Sequence, residues 1–305
     1  MMKNNLFHFL FCALLSLLFL LLITPVGLTT DNLNYHNDIL NFYNFQASLN
    51  ESHERSISVL IPLYEEQTEQ IVLYLKNDFI SEDKIKLPAT RLRVISSQNN
   101  LLLSKEPRQL NIKSDKIVAE DQPAVLLELS LLVEPSDLPG KYHSTLLILQ
   151  PDPEGEKRTT EIDVHFQVQP WLFMEIESDI HKILAADIGN YQLHSTVPGR
   201  IFIAGNTPWQ LWVKGSNVNE NYLSGNSKTI LNIYSADERL LIHEENVVLR
   251  KKEIMLAESG KTIIKPQEKC ELNFEMEIEN FISLPAGRIS FPVLFRLEPI
   301  LREEL

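Results

Sequence analysis

The sequence predicts an all-β protein, built as two tandem antiparallel β-sandwich domains behind an N-terminal hydrophobic export segment. Three observations carry that reading. Apolar and polar residues alternate at period two, most cleanly in Ile162-Val164-Phe166-Val168, which interleave with Glu161, Asp163, His165 and Gln167. Such alternation marks a strand with one buried and one wet face. Turn-forming clusters punctuate the chain, among them Pro135-Ser136-Asp137, Gly189-Asn190 and Asn206-Thr207-Pro208, at the cadence of short strands in a sandwich. The third observation is internal likeness. Leu92 to Leu103, an apolar strand, a polar turn and a second apolar strand, recurs in blurred form at Leu231 to Ile242. Leu138-Pro139-Gly140-Lys141-Tyr142 is likewise echoed by Leu284-Pro285-Ala286-Gly287-Arg288. One β-rich unit, with a hairpin at each repeated place, is therefore expected twice.

Residues 1–30 read as an address rather than as part of the fold. Lys3 precedes an uncharged run from Leu6 to Val26, the pattern of an export signal. The run is also long enough to cross a bilayer as a helix, so a cleaved signal peptide and a retained N-terminal anchor both fit. Either way the remainder is expected to be exported: extracellular, periplasmic or at the cell surface. Residues 31–56 are rich in Asn and lack a clean period, and read as a tether with some local order. Residues 57–170 and 171–305 make the two sandwiches, meeting near Pro170-Trp171 without a flexible linker. Trp171 is expected to pack between them. The second unit has no counterpart of strand 161–169, and so either lacks its last strand or uses residues 172–176 instead. A helical stripe is suggested only over Ile180 to Asp187.

Composition excludes several functions. A net charge of −13 argues against nucleic acid, whose phosphates need a basic face, and against electrostatic docking on anionic lipid. Membrane contact is expected only through residues 6–26, if that run is retained. Of two cysteines, Cys12 lies in the export segment, leaving Cys270 at the in-facing phase of a strand and no internal disulfide. No Gly-x-Ser-x-Gly, His-Glu-x-x-His or phosphate loop occurs, and Ser81-Glu82-Asp83-Lys84 lacks the companion motifs a Ser-x-x-Lys enzyme needs. The eight histidines make no ligand spacing. Asp152 to Glu156 reads as a polar hairpin tip rather than a calcium loop. The expectation is a protein that is not an enzyme, with no cofactor and no metal.

The aromatic residues are the one suggestive set. In Trp209-Gln210-Leu211-Trp212-Val213, period two puts Trp209, Leu211 and Val213 on one face and Trp212 on the other. An outward Trp can stack on a sugar ring or anchor a protein contact, which makes Trp212, with Tyr222 and Tyr234 as helpers, the candidate binding residues. Two stretches are similar to the tandem immunoglobulin-like modules of exported bacterial surface and fimbria-associated proteins. They are Gly205 to Val213, resembling an Asn-x-x-Trp-x-Leu-x-Val strand, and Leu138-Pro139-Gly140-Lys141-Tyr142, resembling a late Pro-Gly-x-Tyr hairpin. The resemblance implies a non-catalytic interaction or structural protein of the cell envelope, within a surface or fimbrial assembly, whose partner is a protein or a surface glycan. A carbohydrate-binding module pair is the alternative, and requires coplanar exposed aromatics. A third reading has the second sandwich accept a strand from another chain, with Ile39 to Phe45 as the donor.

Overall fold

The computed structural model describes residues 34–35, 39–97, 99–119, 122–151, 157–177, 184–187, 192–195, 197–215, 228–238, 240–249, 252–259, 269–279 and 293–300. These are almost wholly strand, in four sheets that enclose two apolar cores. The expected export segment lies outside the described residues, among which no helix is long and apolar enough to cross a membrane.

The first sheet orders β1 (Asn34–Tyr35), β3 (His53–Pro62), β11 (Gln122–Val133), β7 (Leu92–Ile95) and β8 (Asn100–Leu102), with β10 (Lys116–Ala119) also on β11. The second orders β2 (Ile39–Phe45), β13 (Lys157–Val168), β12 (Gly140–Pro151), β4 (Gln70–Leu75) and β9 (Arg108–Asn111), with β5 (Phe79–Ser81) on β12 and β6 (Lys86–Leu87) on β5. Alternation supplies the core between them. Val125, Leu127, Leu129, Leu131 and Val133 of β11 are sealed from solvent and meet Ile162, Val164, Phe166 and Val168 of β13 in one apolar cluster. Phe166 is its aromatic centre, with Phe79, Tyr142 and Phe45 rings at 5.0, 5.3 and 5.9 Å.

The third sheet orders β14 (Leu172–Glu177), β17 (Gly199–Gly205), β23 (Cys270–Glu279), β16 (Gln192–Ser195) and β15 (Leu184–Asp187), with β19 (Lys228–Tyr234) on β23 and β21 (Asn246–Val248) on β19. The fourth orders β20 (Leu240–Ile242), β22 (Ile254–Ser259), β18 (Trp209–Gly215) and β24 (Val293–Pro299). Trp209, Leu211, Val213, Leu272 and Cys270 are buried between them.

Four expectations are corrected. Residues 31–56 are not simply a tether. Ile39–Phe45 is an edge strand running parallel to β13, and Leu40, Phe42 and Phe45 are buried at 1, 2 and 0% exposure. Polar Asn41, Tyr43 and Asn44 hid the period, and the ladder is irregular between Phe166 and Val168, where Asn44 turns to φ 36°. Asn tolerates that conformation better than most residues. Only the first copy of the repeated hairpin is a hairpin: β7 pairs with β8, whereas β19 and β20 belong to different sheets. The chain crosses the sandwich where its turn was expected to fold back. Leu184–Asp187 is strand, paired antiparallel to β16, so pairing overrides the helical propensity of Ala185-Ala186. Residues 172–176 do not replace a last strand, because β14 pairs with β17 in the other sheet.

Candidate functional site

The two units share a central arrangement, with β17, β23 and β19 ordered as β3, β11 and β7 are in the first. In the first, β12 has β4 on one side and β13 on the other, the latter along its whole length. In the second, β24 takes the place of β12 and pairs with β18 from Trp209↔Pro299 to Gly215↔Val293. Its other edge has no strand among the described residues. An unpaired edge presents a row of backbone N–H and C=O groups to any extended chain.

The apolar side chains beside that edge are incompletely covered. Val293, Phe295 and Leu297 share the core-facing phase of β24, yet all three are only half-buried. Across from them β14 presents Leu172 and Met174, half-buried, and Ile176, 43% exposed. β14 leaves the joint between the units and β24 returns to it, where Ile300 N–H donates to the Pro208 carbonyl at 2.8 Å. Two rows of three incompletely covered apolar side chains thus flank the edge of β24 that carries no strand among the described residues, and we refer to this place, which corresponds to that of β13 in the first unit, as the groove. Gly205 sets the position of one wall. A Cβ there would meet Leu172 Cδ2 at 2.6 Å and the Trp171 carbonyl at 2.9 Å, so only glycine lets β14 lie this close to β17.

The joint at that end of the groove is built around Asn206, which is fully buried. Its Oδ1 accepts from Trp171 N–H at 2.8 Å, and its Nδ2 donates to the carbonyls of Asp137 at 2.9 Å and Gln169 at 3.2 Å. The Trp171 indole N–H donates to the Pro135 carbonyl at 3.1 Å, and Trp171 packs into the first core, as expected for a residue between the units. The Glu134–Leu138 loop that receives these bonds is held by Arg91, whose guanidinium pairs with both Glu134 and Asp137.

That loop titrates in two directions. The Arg91 hydrogen bond holds the Glu134 carboxyl below its ordinary range, whereas burial raises that of Asp137 despite the same guanidinium. A depressed folded value means that Glu134 adds stability above its unfolded pKa, which is lost as pH falls through the folded one. Asp137 acts oppositely: its contribution is present below the ordinary Asp value and is lost as pH rises. Glu134→Gln should therefore flatten the acid limb of a stability–pH curve, below pH about 4. Urea titrations of the variant that show an unchanged acid slope would refute this.

The aromatic candidates are separated. Trp212 is outward and half-buried, and the Arg296 guanidinium lies over its ring at 5.6 Å while pairing with Glu253 and Glu298. Its indole N–H is shielded without a hydrogen-bond partner among the described residues. Tyr234 is exposed and donates to Glu275 at 3.2 Å, but it stands on β19 in the opposite sheet of the sandwich. Outward side chains of two facing sheets point apart, so these two form no common platform. Tyr222 lies outside the described residues. The groove residues escaped the sequence reading, although Leu172-Met174-Ile176 and Val293-Phe295-Leu297 both alternate visibly. The missing strand was the signal that pointed to them. Among the described residues no group of three or more His, Cys, Asp or Glu could hold a metal ion.

No family model matches the chain, and neither does any curated protein. Among solved structures it overlays on fimbrial and pilus tip subunits. One belongs to the chaperone–tip adhesion subunit pre-assembly complex of the archaic chaperone-usher pili of Acinetobacter baumannii, at 12% identity and a TM-score of 0.41, covering 85% of this chain and 98% of that one. A tip adhesin of Pseudomonas aeruginosa matches at 10% identity and 0.30, covering 82% and 86%. The adhesive subunit of CFA/I fimbria of enterotoxigenic Escherichia coli matches at 8% and 0.29, covering 87% and 93%. Overlays this loose carry no function across, which must be argued from the groove.

Proposed function

We propose that this chain is a non-catalytic, exported subunit of a surface assembly, and that it joins its neighbour by accepting a β-strand between β14 and β24. The observation that carries the reading is the edge of β24 that has no strand among the described residues, beside half-covered Phe295 and Leu297, at the place where the first unit holds its own β13. Strand addition supplies main-chain hydrogen bonds for affinity and alternate side-chain pockets for specificity. The export segment supports a place outside the cytoplasm.

Ile39 to Phe45 is a poor donor, contrary to the sequence expectation. Its three buried side chains already close the first core, and withdrawing each would forfeit about 1.5–3 kcal/mol. The donor is therefore another segment.

A peptide copying Glu161 to Gln169 tests the groove, because its apolar residues alternate as the missing strand should. It is expected to bind the whole protein and to raise the unfolding midpoint in proportion to its concentration. Phe295→Arg should weaken binding at least tenfold, since a charge would enter the apolar floor. Equal binding by wild type and variant, or binding by neither, would sink the proposal.

A further inference from the structure

Resting on that reading, we infer that the incoming strand runs antiparallel to β24 and carries a basic residue just before its apolar alternation. This residue is received in a cavity of about 490 Å³ between the two units.

The cavity lies where both walls of the groove end. Pro170, just before Trp171 and the start of β14, lines it, and so does Ile300, the residue after β24. A segment lying along the groove must therefore extend into it at the joint. The end that does so depends on direction. β24 runs toward the joint, so a strand antiparallel to it begins there, as β13 runs antiparallel to β12 in the first unit. The cavity then meets residues N-terminal to the donor's apolar stretch.

The chemistry of the cavity selects what those residues are. Among the described residues its charged groups are Glu82 and Asp83, from the turn after β5, and Lys141 near the start of β12. Lys84, next in that turn, does not line it. Two acidic residues and one lysine thus share the described lining, with apolar Ile85 and Leu138 and polar Gln169. A Lys or Arg side chain fits such a place, its stem against apolar surface and its charge toward the carboxylates. An acidic flank would meet the same carboxylates as a like charge. The first unit would thereby take part in recognition alongside the second, and the order of charge and apolar residues in the donor would be read together.

The probes are the Glu161–Gln169 peptide carrying two lysines at its N-terminus, two glutamates at its N-terminus, or two lysines at its C-terminus. Binding is measured by fluorescence anisotropy on the whole protein, with salt varied. The N-terminal lysine peptide is expected to bind about tenfold tighter than the N-terminal glutamate peptide, with a gap that narrows as salt rises. In a Glu82→Gln, Asp83→Asn variant the gap should close while the unmodified peptide binds as before. Equal affinity for the two N-terminal flanks, or preference for lysines at the C-terminus, overturns this inference and leaves the strand-accepting groove standing. Failure of every peptide to bind overturns the groove, and this inference with it.

Discussion

Asn206→Ala is expected to cost about 3–5 kcal/mol of unfolding free energy, the largest loss for any single polar side chain at the joint. The deletion strands two buried groups at once, the Trp171 N–H that the Asn206 Oδ1 accepts and the Asp137 carbonyl that its Nδ2 serves, and also releases the half-buried Gln169 carbonyl. The first two sit away from solvent, since Asn206 is fully buried and Trp171 only 6% exposed. Leaving a buried donor or acceptor unmet costs about 1–3 kcal/mol. Asn206→Asp is a sharper probe. It keeps the acceptor for Trp171 N–H but replaces the donor with an anion facing two carbonyls, so it should destabilise more than alanine at neutral pH and less in acid. The orientation of the units should loosen as well, visible as an increased radius of gyration in solution scattering. A variant within 1 kcal/mol of wild type, unchanged in scattering, would show that Asn206 does not organise the joint.

Phe45→Ala should destabilise the first sandwich by a comparable amount, about 3–5 kcal/mol. The ring has no solvent exposure and packs edge-on against Phe166 at 5.9 Å and His53 at 5.5 Å, with Phe42 at 6.4 Å. The backbone at this residue also accepts from Gln169 N–H at 2.7 Å, tying the end of β2 to the segment that enters the joint. Removing the ring leaves a cavity among aromatics that cannot collapse to fill it. A residue in a tether would give no such effect. Urea unfolding distinguishes the two, because a tether predicts an unchanged midpoint and an edge strand predicts a large downward shift.

Where alternation was strict, the sequence revealed the structure. Ile162 to Val168 and Trp209 to Val213 place their apolar residues inward as period two requires. Comparing two copies of one pattern also pointed to the edge of β24 that carries no strand among the described residues. What failed to show has physical causes. β2 is an edge strand with a bulge, and its parallel partner is remote in the chain, so no local pattern announces it. The residues from Leu231 to Ile242 have the composition of a hairpin but cross from one sheet to the other, which only three-dimensional packing decides. Trp212 was correctly placed on the outward face, but its ring is capped by Arg296 from β24, a contact between remote segments. The groove was invisible for a related reason. Phe295 and Leu297 look like core residues in sequence, and their partial exposure accompanies an edge that carries no strand among the described residues.

The parallel pairing of β2 with β13 also bears on how this protein comes to be folded. Its register joins Ile39 to Asp163 and Leu40 to Val164, so the first sandwich is closed by segments from its two extremes. Contacts that distant carry a large loop-closure cost and slow the approach to the native state. A chain delivered from its N-terminus would expose Leu40, Phe42 and Phe45 until the residues of β13 had followed. For that interval the segment is an apolar strand without a partner, open to aggregation with other chains. A folding assistant would find its substrate here, in a segment whose last residue, Phe45, is tied to Gln169 beside the joint.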